Sequence, residues 1–161
     1  MRIAFLRGSL GRVARQPRCN LPEVGIFHVT NRGVDRQAIY RDDEDRWLFV
    51  ALLQRAVVTF GLALPAYVLM SNHFHLVVMG ELERLSRGMH YLSFRYAMNF
   101  NERHTRTGHL FQGRFGARSV EDDEYLDRVC AYVLDNPVRA GICERFEDYP
   151  WLGGEWLEAR G

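Results

Sequence analysis

Residues 66–79, AYVLMSNHFHLVVM, constrain this chain more than any other stretch. Two apolar runs, 66–70 and 76–79, flank Ser71 and Asn72, and His73-Phe74-His75 leads into the second. The β-branched and aromatic residues of that second run suit a pleated, buried surface, so it reads as a strand. Alternation puts His73, His75 and Val77 on one face and Phe74, Leu76 and Val78 on the other. The apolar face requires helices to cover it. The histidine face presents imidazoles side by side, which leaves two readings open: a pair of half-exposed structural histidines, or a rigid i, i+2 pair holding one metal ion.

At 161 residues the chain suffices for one domain with a sizeable core. A net charge of +1 carries no global signal for nucleic acid, so the distribution of charge has to decide. All 21 basic side chains are arginine, the better fork for phosphate. Cys19, Cys130 and Cys143 are odd in number and lack CxxC spacing, which speaks against a disulfide framework and a cysteine-rich zinc site. The apolar run 60–70 is broken by Gly61 and Pro65, so no membrane span is expected, and the N-terminus lacks the apolar core of a secretory signal. The expected location is cytoplasmic.

Residues 1–22 carry arginines and no acid before Glu23, and read as a basic, partly disordered arm preceding a single domain over 23–161. Residues 1–12 are expected to be dispensable or an extension of the true start. Residues 24–31, VGIFHVTN, alternate as a strand. A helix follows over 42–60, with acids in its first turn, an apolar stripe of Phe49, Leu52, Leu53, Ala56 and Phe60, and Gly61 to cap it. A second helix over 81–103 carries Leu82, Leu85, Met89, Leu92 and Tyr96 at buried-stripe spacing.

Residues 103–119 change character, with Arg103, Arg106, Arg114, Arg118, His104 and His109 interleaved with glycine and phenylalanine and no acid. That mixture suits a surface that tracks a nucleic-acid backbone and stacks bases; a plain loop leading to an edge strand near 114–120 fits equally. A third helix over 122–135 has its end forced by Pro137 and a core face of Leu126, Val129, Cys130, Val133 and Leu134. Beside that face, Tyr132 and Asn136 stand at i, i+4 and so reach one point in space. The turn-rich tail, with Trp151 and Trp156, is expected to pack over the domain. The order β-α-β-β-α-β-α predicts an α+β fold: a ferredoxin-like split βαβ antiparallel sheet with an added C-terminal helix carrying Tyr132. The first two helices would cover one sheet face and the third the histidine face.

The segments HVTNRG (28–33), LMSNHFHLV (69–77), GHLFQGRF (108–115) and YVLDNPVRAGI (132–142) resemble the REP-associated branch of the HUH single-tyrosine transposases, the IS200-like group, in the right order. The resemblance spans about residues 14–151. It implies a metal-dependent endonuclease and strand transferase acting on single-stranded DNA with hairpins such as REP-like palindromes, as a monomer or homodimer. By the same resemblance His73 and His75 would hold a divalent ion, Mg²⁺ or Mn²⁺, Tyr132 would be the nucleophile, and Asn136 a third ligand. Many relatives outside this branch carry Gln where Asn136 stands. Candidate DNA contacts are Arg32, Arg103, Arg106, His109, Arg114 and Arg118.

Two rivals follow from the same residues. A water-activating metal hydrolase would recruit further His or Asp ligands near the pair, and Leu76-Val77-Val78-Met79 supplies none. A non-catalytic single-stranded nucleic-acid binder on a ferredoxin-like sheet would expose aromatics on its central strands, where this chain places histidines.

Overall fold

The structure is a computed structural model that describes residues 17–160. The expected arm therefore lies mostly outside the described residues, including all of 1–12. Its last part is docked: Arg18–Asn20 form a 3-10 turn, Leu21 joins the core, and the Arg18 guanidinium stands 4.6 Å from the Phe115 ring centre.

Strand β1 (Val24–Arg32) is followed by a 3-10 turn (Val34–Arg36) and helix α1 (Asp43–Phe60). The Asp42 side chain caps α1 by accepting from the Asp45 N–H at 3.0 Å, satisfying one of the donors every helix start leaves open. Gly61 ends the helix in the left-handed region at φ 61°, where a Cβ would be strained. Strands β2 (Ala63–Leu69) and β3 (His73–Glu81) form the hairpin, and helix α2 (Leu82–Arg103) returns across the sheet. Pro65, which cannot donate to a ladder, sits where the β2–β3 register shifts.

Edge strand β4 (Gly116–Val120) precedes helix α3 (Asp123–Leu134). Pro137 does not simply stop α3. It lies in the first turn of a short helix, α4 (Asn136–Arg139), a position where its missing N–H costs nothing. The tail adds β5 (Leu152–Gly153) and α5 (Glu155–Glu158), which the sequence pattern does not foretell.

The sheet order is β4-β1-β3-β2-β5 with every neighbouring pair antiparallel, the ferredoxin-like arrangement extended by one short edge strand. Phe27, Val29, Phe74, Leu76 and Val78 face α1 and α2, where Phe49, Leu53, Leu85, Leu92, Tyr96 and Phe100 complete the larger core. Truncating a fully buried ring there, such as Phe74→Ala, would cost about 3–5 kcal/mol through lost transfer energy and the cavity left behind. On the opposite face, Ala66, Val68, Val77 and Val120 pack against Val129, Cys130, Val133 and Leu134 of α3. That second, smaller core anchors α3 and leaves a cavity at the histidine end of the face.

Candidate active site

The register of the central strands assembles the site. Directly paired residues of an antiparallel ladder share a face. The β1–β3 pairs Thr30↔His75 and Arg32↔His73 therefore place a basic and a hydroxyl side chain beside the two histidines. His28, two residues back on β1, lies diagonal to His75; their rings stack with centroids 5.2 Å apart and planes at 20°. The His28 Nε2 and His75 Nδ1 are 3.0 Å apart, one donating to the other. His73 stands edge-on to His75 at 5.1 Å, so the three rings form a row.

Burial keeps this row uncharged. It lowers the His28 pKa to about 4, with help from Arg118, and that of His73 to about 4, with help from Arg32. His75 is pushed well below the ordinary imidazole value by burial first, and then by His28, His73 and Arg32. Neutral imidazoles offer lone pairs, which is the state a metal ligand needs.

Helix α3 brings Tyr132 over the row, its ring centre 6.5 Å from that of His75 and 6.3 Å from that of His28. Val129, Val133 and Leu134 hold the helix in that rotation by their burial. Asn136, one turn later, donates through Nδ2 to the Tyr132 and Val133 carbonyls at 3.0 and 3.2 Å, so Oδ1 is the atom of its carboxamide that could ligate. The Arg139 guanidinium lies 5.0 Å from the Tyr132 ring centre.

A cavity of about 820 Å³ opens between these elements, lined by His28, Thr30, Arg32, His73, His75, Tyr132 and Asn136 on one side. Gln112, Gly113 and Arg114, from the loop ahead of β4, line the other. That volume lies within the range of sites that enclose a small molecule, ample for a nucleotide or more. The second wall is fixed to β1: Gln112 N–H donates to Arg32 O at 2.9 Å, Val34 N–H to Leu110 O at 3.0 Å, and Asn31 Nδ2 to Gly113 O at 3.2 Å.

The structure therefore brings together His73, His75, Tyr132, Asn136, Arg32 and Arg114. Arg118 stands on β4 opposite His28, on the same face. His109 is exposed in the preceding loop and does not line the cavity. Arg103 and Arg106 are elsewhere. Arg103 Nη1 donates to Asp42 at 2.8 Å and Asp45 at 2.7 Å, and Nη2 to Glu44 at 2.5 Å. Arg106 donates to Asn101 Oδ1 at 2.9 Å and Gln37 Oε1 at 3.1 Å. The Arg103 guanidinium ties the end of α2 to the start of α1, and that of Arg106 ties α2 to the loop after β1.

Asp42, Asp45 and His104 form the other convergence of ligand-type groups among the described residues. Arg103 already stands where a cation would sit, and Asp45 also accepts from the Arg41 N–H at 2.8 Å. This cluster ties the start of α1 to the end of α2. The histidine row, with its uncharged imidazoles, offers the lone pairs that a divalent ion takes.

His28 is the site residue that sequence reasoning missed. A signal was present, because His28, Thr30 and Arg32 alternate on one face of the first strand, but only the register shows that this face meets His75.

The sequence profile described as "Transposase IS200 like" matches residues 24–136, most of the chain. The chain belongs to this family. Its members are transposases, so the chain is assigned to a family of DNA-cleaving enzymes. Among solved structures, the fold is similar to a REP-associated tyrosine transposase bound to a REP hairpin, with TM-score 0.59 and 16% identity over 86% of this chain and 82% of that one. A second similar chain, assigned as a transposase of Deinococcus radiodurans R1, has TM-score 0.49 and 14% identity over 74% of this chain and 95% of that one. No protein of curated function matches the chain. Among the described residues, no helix is long and apolar enough to cross a membrane.

Proposed function

We infer that this family member cuts and rejoins single-stranded DNA next to a hairpin, with Tyr132 as nucleophile. The observation that carries the reading is the convergence of Tyr132, neutral His73 and His75, Asn136, Arg32 and Arg114 on one cavity.

Arg32 and Arg114 hold backbone phosphates at the cavity mouth and set the strand's register. The Tyr132 oxygen attacks the scissile phosphorus in line with the 3′ oxygen. The Oη–P bond forms as the P–O3′ bond breaks. The phenolic proton passes to solvent, and the departing 3′ oxygen takes one up. The products are a 5′-phosphotyrosine on Tyr132 and a free 3′-hydroxyl, so the bond energy is retained and a second 3′-hydroxyl can reverse the step without a nucleotide cofactor. Mg²⁺ or Mn²⁺ held by His73, His75 and Asn136 would supply the positive charge that offsets the charge growing on the phosphate.

The test is a radiolabelled single-stranded oligonucleotide bearing a REP-like hairpin, incubated with Mn²⁺ or with chelator. The expected result is a covalent protein–DNA species on the 5′ fragment end, present with Mn²⁺ and absent with chelator. Cleavage to free 5′-phosphate without any covalent species would assign the site to water-activating hydrolysis instead. Hairpin binding with no cleavage under any metal would leave the chain a nucleic-acid binder.

A further inference from the structure

We propose that Asn72 and His28 are positioning residues that lock His73 and His75 in the same tautomer, with Nδ1 protonated and Nε2 turned as a lone pair to the cavity. The inference rests on the metal-site reading above and deepens it, since it says why this pair is ready to ligate before any ion arrives.

The argument for His73 is one of donors and acceptors. Asn72 Nδ2 donates to the Arg36 carbonyl at 3.0 Å, so the oxygen of that carboxamide is the atom facing His73. Asn72 Oδ1 lies 2.7 Å from His73 Nδ1 and can only accept, hence His73 Nδ1 carries the proton. The Arg36 carbonyl is in turn held in place by an unusual backbone. Asp35 and Arg36 both occupy the left-handed region, at φ 50° and 59°, which non-glycine residues enter only when their surroundings compel it. Two further bonds tie this turn to the hairpin tip, Gly33 N–H to Asn72 O at 2.9 Å and Ile39 N–H to Ser71 O at 3.0 Å.

His75 is served from the other side. Its Nδ1 is 3.0 Å from His28 Nε2, on a ring almost parallel to its own and only 8% exposed. With Nδ1 engaged, Nε2 is the nitrogen left for the cavity. It is a lone pair when His75 donates and His28 accepts. Metal-ligating histidines generally use one nitrogen for the ion and give the other N–H to an outer partner that fixes the ring. Here the two outer partners come from β1 and from the hairpin tip.

Nitrogen-15 spectra of histidine-labelled, metal-free full-length protein at neutral pH read both tautomers directly. The expected pattern for His73 and His75 is a protonated Nδ1 and an unprotonated Nε2. Mn²⁺ titration then compares variants. His28→Phe keeps a flat ring but cannot accept, and Asn72→Leu removes the carboxamide; each should weaken Mn²⁺ binding by about 10–100-fold. His28→Gln can still accept, and should restore binding to within a few-fold of wild type while retaining the His75 tautomer. An Nε2-protonated His75 in the wild type, or Mn²⁺ binding by His28→Phe equal to wild type, would overturn the proposal. Wild-type protein with the expected tautomers but no Mn²⁺ binding would instead overturn the metal-site reading, and with it the purpose of the lock. The spectra need no variant, so a misfolded substitution leaves them decisive.

Discussion

The ring of Tyr132 stands edge-on to the ring of His75, with centroids 6.5 Å apart and planes at 88°. These residues are brought together from different layers, one from the sheet and one from α3. Their meeting depends on helix rotation: a single-residue slip of α3 would turn Tyr132 about 100° away and expose Val129 and Val133.

Tyr132→Phe should abolish covalent attachment of DNA while leaving hairpin affinity unchanged. The ring stays, so thermal stability should move by no more than about 0.5 kcal/mol. Tyr125→Phe, on the same helix, should keep full activity. Covalent trapping by the Tyr132→Phe protein would point to Tyr125 as nucleophile and sink the assignment.

Salt dependence separates the arginines. Arg32 and Arg114 line the cavity, whereas Arg103 and Arg106 are bonded to residues outside it. Replacing Arg32 and Arg114 together by Gln should reduce the slope of log affinity against log salt by about 1.4, at roughly 0.7 for each single-strand phosphate that is no longer neutralised. Arg106→Gln should leave the slope as it is. Fluorescence anisotropy of a labelled hairpin over a salt series checks both, and a lower slope for Arg106→Gln would return that residue to the DNA surface.

The Asp42–Arg103 pair predicts a stability difference with a defined pH window. Arg103 holds the Asp42 carboxyl at about 2, through a side-chain hydrogen bond first and the Asp45 N–H second. A carboxyl lowered in the folded state adds stability above its unfolded pKa of about 3.9, and that stability is lost as pH falls through the folded value. Arg103→Gln should therefore melt below wild type at pH 6, with the gap closing between about pH 4 and pH 2. Calorimetric scans at several pH values test this; a gap that is constant with pH would mean that packing, not charge, explains the loss.

Removing Asp45 itself, which is almost fully buried, should cost more. Asp45→Ala strips the acceptor from the Arg41 N–H and from Arg103, for about 2–3 kcal/mol by urea unfolding. A loss under about 0.5 kcal/mol would show that water replaces these bonds freely.

Much of the fold was legible in the chain because it is local. Period-two alternation marks the strands, 3.6-residue stripes mark α1, α2 and α3, and Gly61 ends α1 for a reason intrinsic to glycine. The spacing that puts His73 with His75, and Tyr132 with Asn136, follows from strand and helix geometry alone. Tertiary structure decided what depends on register and on encounters between distant segments. His28 joins His75 only because β1 pairs with β3 at Thr30↔His75. Arg103 pairs with carboxylates about sixty residues earlier, so a basic cluster in sequence became an ion pair inside the helix layer. Strand β5 spans two residues, too few to show any period, and exists because its backbone finds Tyr67 and Val68 on β2. A side chain's neighbours along the chain set its element and its face; what that face meets is set by pairing energies summed over the whole sheet.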